Sequence, residues 1–289
     1  MKLYDIKKNM NQKRISTKET KEMQQCILKI LLAIDNVCKE HNLHYYLLAG
    51  TMLGAVRHKG FIPWDDDADV ALPREDYNIL IKHANEWLPE KYELVSGLQN
   101  PMYPYQFARI QDKETTYILR RNFDFVGGVP VDAFPLDGMT ESHLLRYKHY
   151  LKYKLAKKIL YFSTVNPYKH GHGFKSLLPR FMHKAVSQDW AHRYMNNVQR
   201  EYDYKNATLI ADHDNAPSRG ILPKGVYGEP TPIEFEGHLL MGVEDSDTYL
   251  KYCYGNYMEM PKEYPPQNFR YLNLHKPYRE YLKENKRDE

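Results

Sequence analysis

Asp65, Asp66, Asp67 and Asp69 crowd into one short stretch of the chain. Carboxylates this close repel one another unless a cation or a proton joins them. The run Asp67-Ala68-Asp69-Val70 also alternates acid with apolar, the period of a β-strand. Residues two apart on a strand share a face, so Asp67 and Asp69 point one way while Ala68 and Val70 turn to the core. Asp132, between Val131 and Ala133, lies in a second strand-like run. If the two strands are neighbours in one sheet, a third carboxylate joins the first two. Three converging carboxylates are hard oxygen ligands that suit Mg²⁺ or Mn²⁺, ions that also hold phosphate oxygens. Such ions can bridge attacking and leaving oxygens in an in-line displacement.

Taken alone, an Asp-x-Asp pattern more often caps a helix or fills a solvated turn. Its company here argues for chemistry. Gly50-Thr51 precedes a helix-like stretch whose free N–H groups can hold a phosphate. Arg57, His58 and Lys59 add positive charge nearby. The combination outlines a phosphoryl-transfer site.

The elements that must position these residues are legible in the spacing. Met23, Ile27, Ile30, Leu31, Ile34 and Val37 predict a helix over 17–41, with a capping box from Ser16 to Glu19. A strand over 44–49 runs into the Gly50-Thr51 turn, and residues 52–57 form one or two helical turns. The acid strand spans 67–72 and stops at Pro73. A helix follows over 74–88, then strands over 92–96, 105–110, 115–119 and 129–134. Residues 141–162 and 175–202 read as helices, basic and rich in tyrosine. A hairpin around Gly237 and a helix over 245–254 close the chain. The fold class is thus α+β, a mixed sheet core flanked by helices with an added helical subdomain. We divide it into a catalytic core over 1–140, a basic Tyr-rich helical subdomain over 141–205 and a C-terminal segment over 206–289 that completes the fold.

Composition excludes several classes. Hydrophobic residues make up 42% of the 289 positions, enough for a real core. The net charge of +4 is too mild to suggest nucleic acid. Cys26, Cys38 and Cys253 form no disulfide framework, which fits a reducing, cytoplasmic setting. The basic N-terminal residues lack the apolar stretch of a signal peptide, and no run of apolar residues is long enough to span a membrane. Residues 144–162 do mix lysines with Leu, Ile and Tyr, the pattern of a membrane-surface helix or of a helical subdomain with solvated lysines. His170-Gly171-His172 and Asp212-His213-Asp214 lack the partners of a zinc site and suit loop or substrate contacts better.

LAGTMLGAVRHKGFIPWDDDADVALPREDY closely resembles the signature of the LicD family. GGVPVDAFPLDG and FEGHLL…YLKYCYGNYMEMP are similar to that family's later patterns. The resemblance runs from about residue 24 to about residue 266. It implies a nucleotidyltransferase core of the DNA polymerase β type, with Gly50-Thr51 standing for the Gly-Gly/Ser turn, a small departure. Asp67 and Asp69 match the acid pair and Asp132 the later acid. Asp65 shares their parity if the strand starts early, and Asp66 extends the run. Which of Asp65, Asp66 and Asp67 would bind metal directly stays open.

The resemblance further implies transfer of phosphorylcholine from CDP-choline to a sugar hydroxyl of a teichoic acid or other cell-surface glycan precursor, with release of CMP. Fukutin-like relatives move ribitol phosphate from CDP-ribitol. Mg²⁺ or Mn²⁺ is the implied cofactor, and Asp132 the implied acceptor of the hydroxyl proton. Arg57 or Lys59 would steady the phosphates, with Arg109 and Arg120 as further candidates or ordinary surface pairs. A choline donor calls for aromatic faces. Trp64, Tyr103, Tyr105, Phe123, Phe125 and Phe134 are candidates, each of them equally a core residue. Implied partners are a CDP-alcohol and a lipid-linked glycan acceptor, with peripheral contact at the inner leaflet and no nucleic acid. Nucleotidyl transfer to a small molecule and an inactive binding module are the competing readings.

Overall fold

The computed structural model describes residues 15–120, 123, 125–166, 176–261, 264 and 267–285. The predicted N-terminal helix is α1 (Thr17–Glu40). Its start is fixed by a reciprocal cap: Ser16 Oγ accepts from the Glu19 N–H at 3.2 Å, and the Glu19 carboxylate accepts from the Ser16 N–H at 2.9 Å. Its apolar face, including Met23, Ile27 and Ile34, lies fully buried in the main core.

The sheet is built around one long strand. β1 (Tyr46–Leu47), α2 (Ala49–His58), β2 (Asp69–Pro73), α3 (Arg74–Trp87), β3 (Tyr92–Val95), β4 (Ala108–Asp112), β5 (Thr116–Leu119) and β6 (Pro130–Met139) follow in chain order. β6 pairs in parallel with β2 along one edge. Its other edge takes β4 along the first half and β7 (Leu209–Asp212) along the second, both antiparallel. The order is β1-β2-β6-β4-β3, with β7 on β6 and β8 (Ile221–Pro223) on β7. A strand that serves two partners on one edge curls the sheet around itself. β6 can run this long because its residues are almost all apolar or small and buried on both faces. A side chain at Gly128 would collide with the Asp112 carbonyl, so the chain must be bare where β6 begins.

Several boundaries shift from expectation. The expected strand over 44–49 is cut to Tyr46–Leu47, because Ala49 at φ 45° already turns the chain into α2. β5 leaves the main sheet and pairs with β11 (Phe269–Asn273). The helical stretch expected over 175–202 is two helices, α5 (Leu177–Ala185) and α6 (Gln188–Gln199), because the extended Val186-Ser187 step breaks it. Residue 175, at its start, lies outside the described residues, as does the His170-Gly171-His172 motif. The short α7 (Pro217–Gly220) and α8 (Lys224–Tyr227) lead to the β9 (Thr231–Phe235)–β10 (His238–Gly242) hairpin, which turns through Glu236 and Gly237 at positive φ. α9 (Ser246–Tyr254) and α10 (Tyr278–Asn285) complete the chain, and β11 lies between them.

The helical subdomain is α4 (His143–Thr164) with α5 and α6. Tyr150, Tyr153, Ala156 and Leu160 of α4 meet Ala191 and Met195 of α6, and the cluster extends to Met139, Ala211 and Ile221 of the sheet. Beside it runs a polar seam. Arg74 Nε and Nη2 donate to the two Asp137 oxygens, each at 2.6 Å, and Nη1 donates to Asn196 at 3.2 Å. His213 Nδ1 stands 3.3 Å from Asp137, its Nε2 is 2.8 Å from His149 Nε2, and His149 Nδ1 reaches Glu201 at 2.9 Å. Burial is the main influence that lowers the His149 pKa, with Glu201 opposing it. Burial alone would raise the Asp137 carboxyl, but Arg74 and His213 outweigh it and hold it below its ordinary range. No helix among the described residues is long and apolar enough to cross a membrane.

Arg74→Met should cost about 3–5 kcal/mol in urea unfolding, because Asp137 becomes a buried charge without its main partner. Arg74→Lys should recover only part of that, since an ammonium cannot make the two-pronged contact. A loss below about 1 kcal/mol for Arg74→Met, the range of an exposed pair, would show that the seam carries little stability.

Candidate active site

The β2–β6 register sets Asp69 directly opposite Asp132. The Asp132 N–H donates to the Ala68 carbonyl at 2.9 Å, so the pairing extends back past the first residue of β2. Asp67 precedes the strand yet keeps its alternation: Asp66 and Ala68 are buried, Asp67 and Asp69 partly open. Thr51, buried in the first turn of α2, accepts from the Asp69 N–H through Oγ1 at 2.8 Å. That bond pins the start of β2 to α2 and fixes where the Asp69 carboxyl stands.

Burial raises the pKa of both carboxyls, and acidic neighbours add to the rise. Asp67, among Asp65, Asp66 and Asp132, is pushed up to about 8. Asp69 lies well above the ordinary carboxylate range, with Asp67, Asp132 and Asp214 near it. Asp132 is paired instead with Arg109 on β4. Arg109 is its cross-strand partner in register, and donates Nε at 2.6 Å and Nη2 at 2.9 Å to the two Asp132 oxygens. Burial opposes charge on Arg109, yet Asp132 outweighs it and holds the guanidinium firmly protonated. Arg109 also lies over the Tyr105 ring, 5.4 Å from its centroid. Asp132 gives both oxygens to Arg109, and among the described residues no group of three carboxylates, imidazoles or thiols is placed to hold an ion.

These groups open into a cavity of about 550 Å³. Asp67, Asp69, Asp132, Arg109 and Arg120 all line it, five of the residues the sequence singles out. Arg120 lines the cavity, and its Nε is buried without a hydrogen-bond partner among the described residues. Aromatic walls come from Tyr105, Phe107, Phe123, Phe134 and Tyr161. Tyr105 and Phe107 stack at 5.0 Å, and Phe107 lies 4.4 Å from Phe134.

Other expected residues lie elsewhere. Arg57 donates to the Tyr257 carbonyl at 2.9 Å and to His58 Nε2 at 2.9 Å. Lys59 pairs with Glu234 on β9 at 2.9 Å. None of Arg57, His58 and Lys59 lines the cavity, because α2 carries its last turn away from its first and towards the C-terminal hairpin. Trp64 stacks on Tyr264 at 4.1 Å, outside the cavity lining. Tyr103 is fully buried beside Tyr105 and, like Phe125, does not line this cavity. Asp66 is turned inward and accepts from the Asn268 N–H at 2.8 Å. Asp65 faces the start of α2, where a Cβ on Gly50 would stand 3.2 Å from Asp65 Oδ2. Gly50 and Thr51 sit in the first helical turn, and the Ala49 N–H ahead of them is taken by Tyr249 Oη at 3.0 Å.

Two charged residues of the cavity were not assigned to the carboxylate site in the sequence, although Asp214 lies in a motif read there as a loop or substrate contact. Lys157 of α4 approaches Asp214 at 3.4 Å, and Gln106 donates to the same carboxylate at 2.8 Å. Their signals were present, Lys157 in the basic helix and Asp214 in the Asp212-His213-Asp214 motif. Only tertiary folding reveals that both reach the carboxylate cavity. The neighbouring Asp212 is fully enclosed, and burial pushes its carboxyl up to about 6. It serves the turn, accepting from the Asp214 N–H and from Asn215.

The raised carboxyls fix a pH dependence. Asp67 and Asp69 bind protons in the fold that the unfolded chain releases near pH ~4, so they weaken stability as pH rises from there towards 8. In metal-free buffer, Asp67→Asn should melt higher than wild type at pH 8 and much like it at pH 5. A relief of 1 kcal/mol corresponds to about 2–4 °C. A variant that melts lower than wild type at pH 8 would contradict the crowding of these charges.

Residues 42–162 match the family described as LicD/FKTN/FKRP, nucleotidyltransferase domain. The stretch runs from β1 through α4 and holds Asp67, Asp69, Asp132 and Arg109. The chain is 26% identical over 254 residues to the lipopolysaccharide cholinephosphotransferase LicD of Haemophilus influenzae, covering 84% of this chain and 92% of that protein. An uncharacterized protein of Rickettsia typhi is 30% identical over 138 residues, 47% of this chain and 41% of its own. One from Rickettsia prowazekii is 35% identical over 81 residues, 28% of this chain and 27% of its own. Residues 42–162 therefore resemble the LicD-family domain, and the comparisons support a phosphotransferase.

Proposed function

We propose that this chain transfers phosphorylcholine from CDP-choline to a sugar hydroxyl of a teichoic acid or other cell-surface glycan precursor, releasing CMP, on a nucleotidyltransferase-like core. The observation that carries the reading is the register of Asp69 against Asp132, with Asp67, two arginines and aromatic walls around one cavity. The Haemophilus relative is named for cholinephosphotransferase activity, which agrees with it.

Hard carboxylate oxygens in a crowd that raises their own pKa fit a hard divalent cation. Asp67, Asp69 and Asp132, with Asp65 next to them, would hold Mg²⁺ or Mn²⁺ once an Asp132 oxygen is released from Arg109 and the carboxylates close in. When bound, such an ion neutralises the diphosphate and stabilises the leaving oxygen. Arg120 offers its unpartnered Nε to a phosphate oxygen. Arg109 holds the Asp132 carboxylate aligned through two donors, and its guanidinium lines the same cavity to meet the diphosphate. Asp132 takes the acceptor hydroxyl proton. Tyr105, Phe107, Phe134 and Tyr161 offer ring faces that suit a quaternary ammonium, which no carboxylate need pair. Positioning and charge stabilisation supply most of the rate in such a transfer.

Phosphorus NMR of a reaction with CDP-choline, Mg²⁺ and a choline-free glycan acceptor should show CMP and a new phosphodiester. Consumption of CDP-ribitol in its place would move the donor to another alcohol, and pyrophosphate released from CTP would point to nucleotidyl transfer. Asp67→Asn should lose activity and keep its fold by circular dichroism. Arg120→Ala should lower kcat/KM about 10²-fold, roughly 2.7 kcal/mol of transition-state stabilisation. Full activity in Asp67→Asn would sink the assignment of the carboxylates.

A further inference from the structure

The inward face of α4 packs on α6 and the sheet, but its outward face is apolar in the open. Leu144, Tyr147, Leu151 and Leu155 are 63%, 64%, 50% and 55% exposed. Isolated exposed leucines are ordinary; a stripe of them is not. At 3.6 residues per turn, Leu144, Leu151 and Leu155 fall within about 40° of one another around the helix. The exposed Lys148 borders that stripe on one side, and Lys154 and Lys158, also exposed, border it on the other. α4 contains no Asp or Glu. Two further lysines of the helix are engaged elsewhere, Lys152 with Glu201 and Lys157 with Asp214. α5, packed on the C-terminal end of α4 through His183 and the Ser163 carbonyl, exposes Leu178 and Phe181 as well.

We propose that the outward face of α4 is a docking surface for an anionic lipid bilayer, with the helix lying in the plane of the interface. A leucine stripe rimmed by lysines on both sides matches the acyl boundary below anionic headgroups. Absence of acid from the helix gives the charge complementarity that an apolar protein partner would not require. α4 cannot sink further, because His149, Tyr153, Ala156 and Leu160 on its other face are committed to the fold. The same helix lines the cavity with Lys157, Leu160 and Tyr161, so docking sets the cavity beside the membrane surface. The surface stands independently of the phosphotransfer reading. Together they specify the acceptor as one carried on a lipid at that surface.

Co-sedimentation of the full chain with vesicles tests this. Binding to mixed phosphatidylglycerol and phosphatidylcholine vesicles should exceed binding to pure phosphatidylcholine at least about 10-fold, and should weaken as salt rises. The triple variant Lys148→Glu/Lys154→Glu/Lys158→Glu should lose about 10²-fold in binding to the anionic vesicles. Leu151→Ser/Leu155→Ser should lose about 10-fold, with both variants melting as wild type does. Equal binding to both vesicle types, or binding that neither variant reduces, overturns the surface. So does a solution dimer of the wild type that the leucine variant dissociates, since the stripe would then be covered by a second copy. Vesicle binding without donor turnover would leave the surface standing and fault only the phosphotransfer reading; donor turnover without vesicle binding would do the reverse.

Discussion

Repulsion among Asp67, Asp69 and Asp132 is the constraint around which this end of the sheet is built. Parallel pairing of β2 with β6 forces Asp69 and Asp132 together, and the alternation of the preceding residues adds Asp67. A fold selected for stability alone would not place three carboxylates there, because burial raises the cost of each charge. Arg109 compensates one of them from the next strand and is in turn fixed by the rings of Tyr105 and Tyr117. The cost of the crowding falls on Asp67 and Asp69, whose raised pKa values express it. Strain of this kind, held in place by a rigid sheet, is what a cation-dependent site requires before its ligand arrives.

The rest of the chain holds that arrangement and closes a cavity over it. Thr51 ties α2 to β2 at Asp69, and Asn268 ties the C-terminal segment to Asp66 and Asp67. The seam from Arg74 through Asp137, His213 and His149 to Glu201 locks the helical subdomain to the sheet. α4 therefore presents Lys157 and Tyr161 to the cavity from a fixed position. One helix serves three demands along its circumference: a core face, a cavity wall and a basic apolar exterior.

Much of this was legible in the residues, where local rules govern. The Ser16–Glu19 box located the start of α1, and strand parity grouped Asp67 with Asp69. The adjacency of the Asp132 strand was conditional in the sequence, since pairing partners are chosen by the whole sheet. What failed was reach. Arg57 and Lys59 lie close to the acids in the chain, but a ten-residue helix carries them away, and Lys59 in a left-handed conformation ends that helix facing β9. Arg109, a weaker candidate by sequence distance, is the close neighbour in space. Asp214 and Lys157 were invisible as a pair for the same reason, being joined only through the β6–β7 pairing and the packing of α4.

The most direct measurement is isothermal titration of the chain with CDP-choline, with Mg²⁺ and with chelator, beside CDP-ribitol and CTP. Binding of CDP-choline that needs Mg²⁺ and exceeds that of the other two is the predicted result. It would mean that the crowded carboxylates and the aromatic walls act together on one donor. Binding of equal strength in chelator, or no binding of any of the three nucleotides, would contradict a cation-completed diphosphate site at Asp67, Asp69 and Asp132.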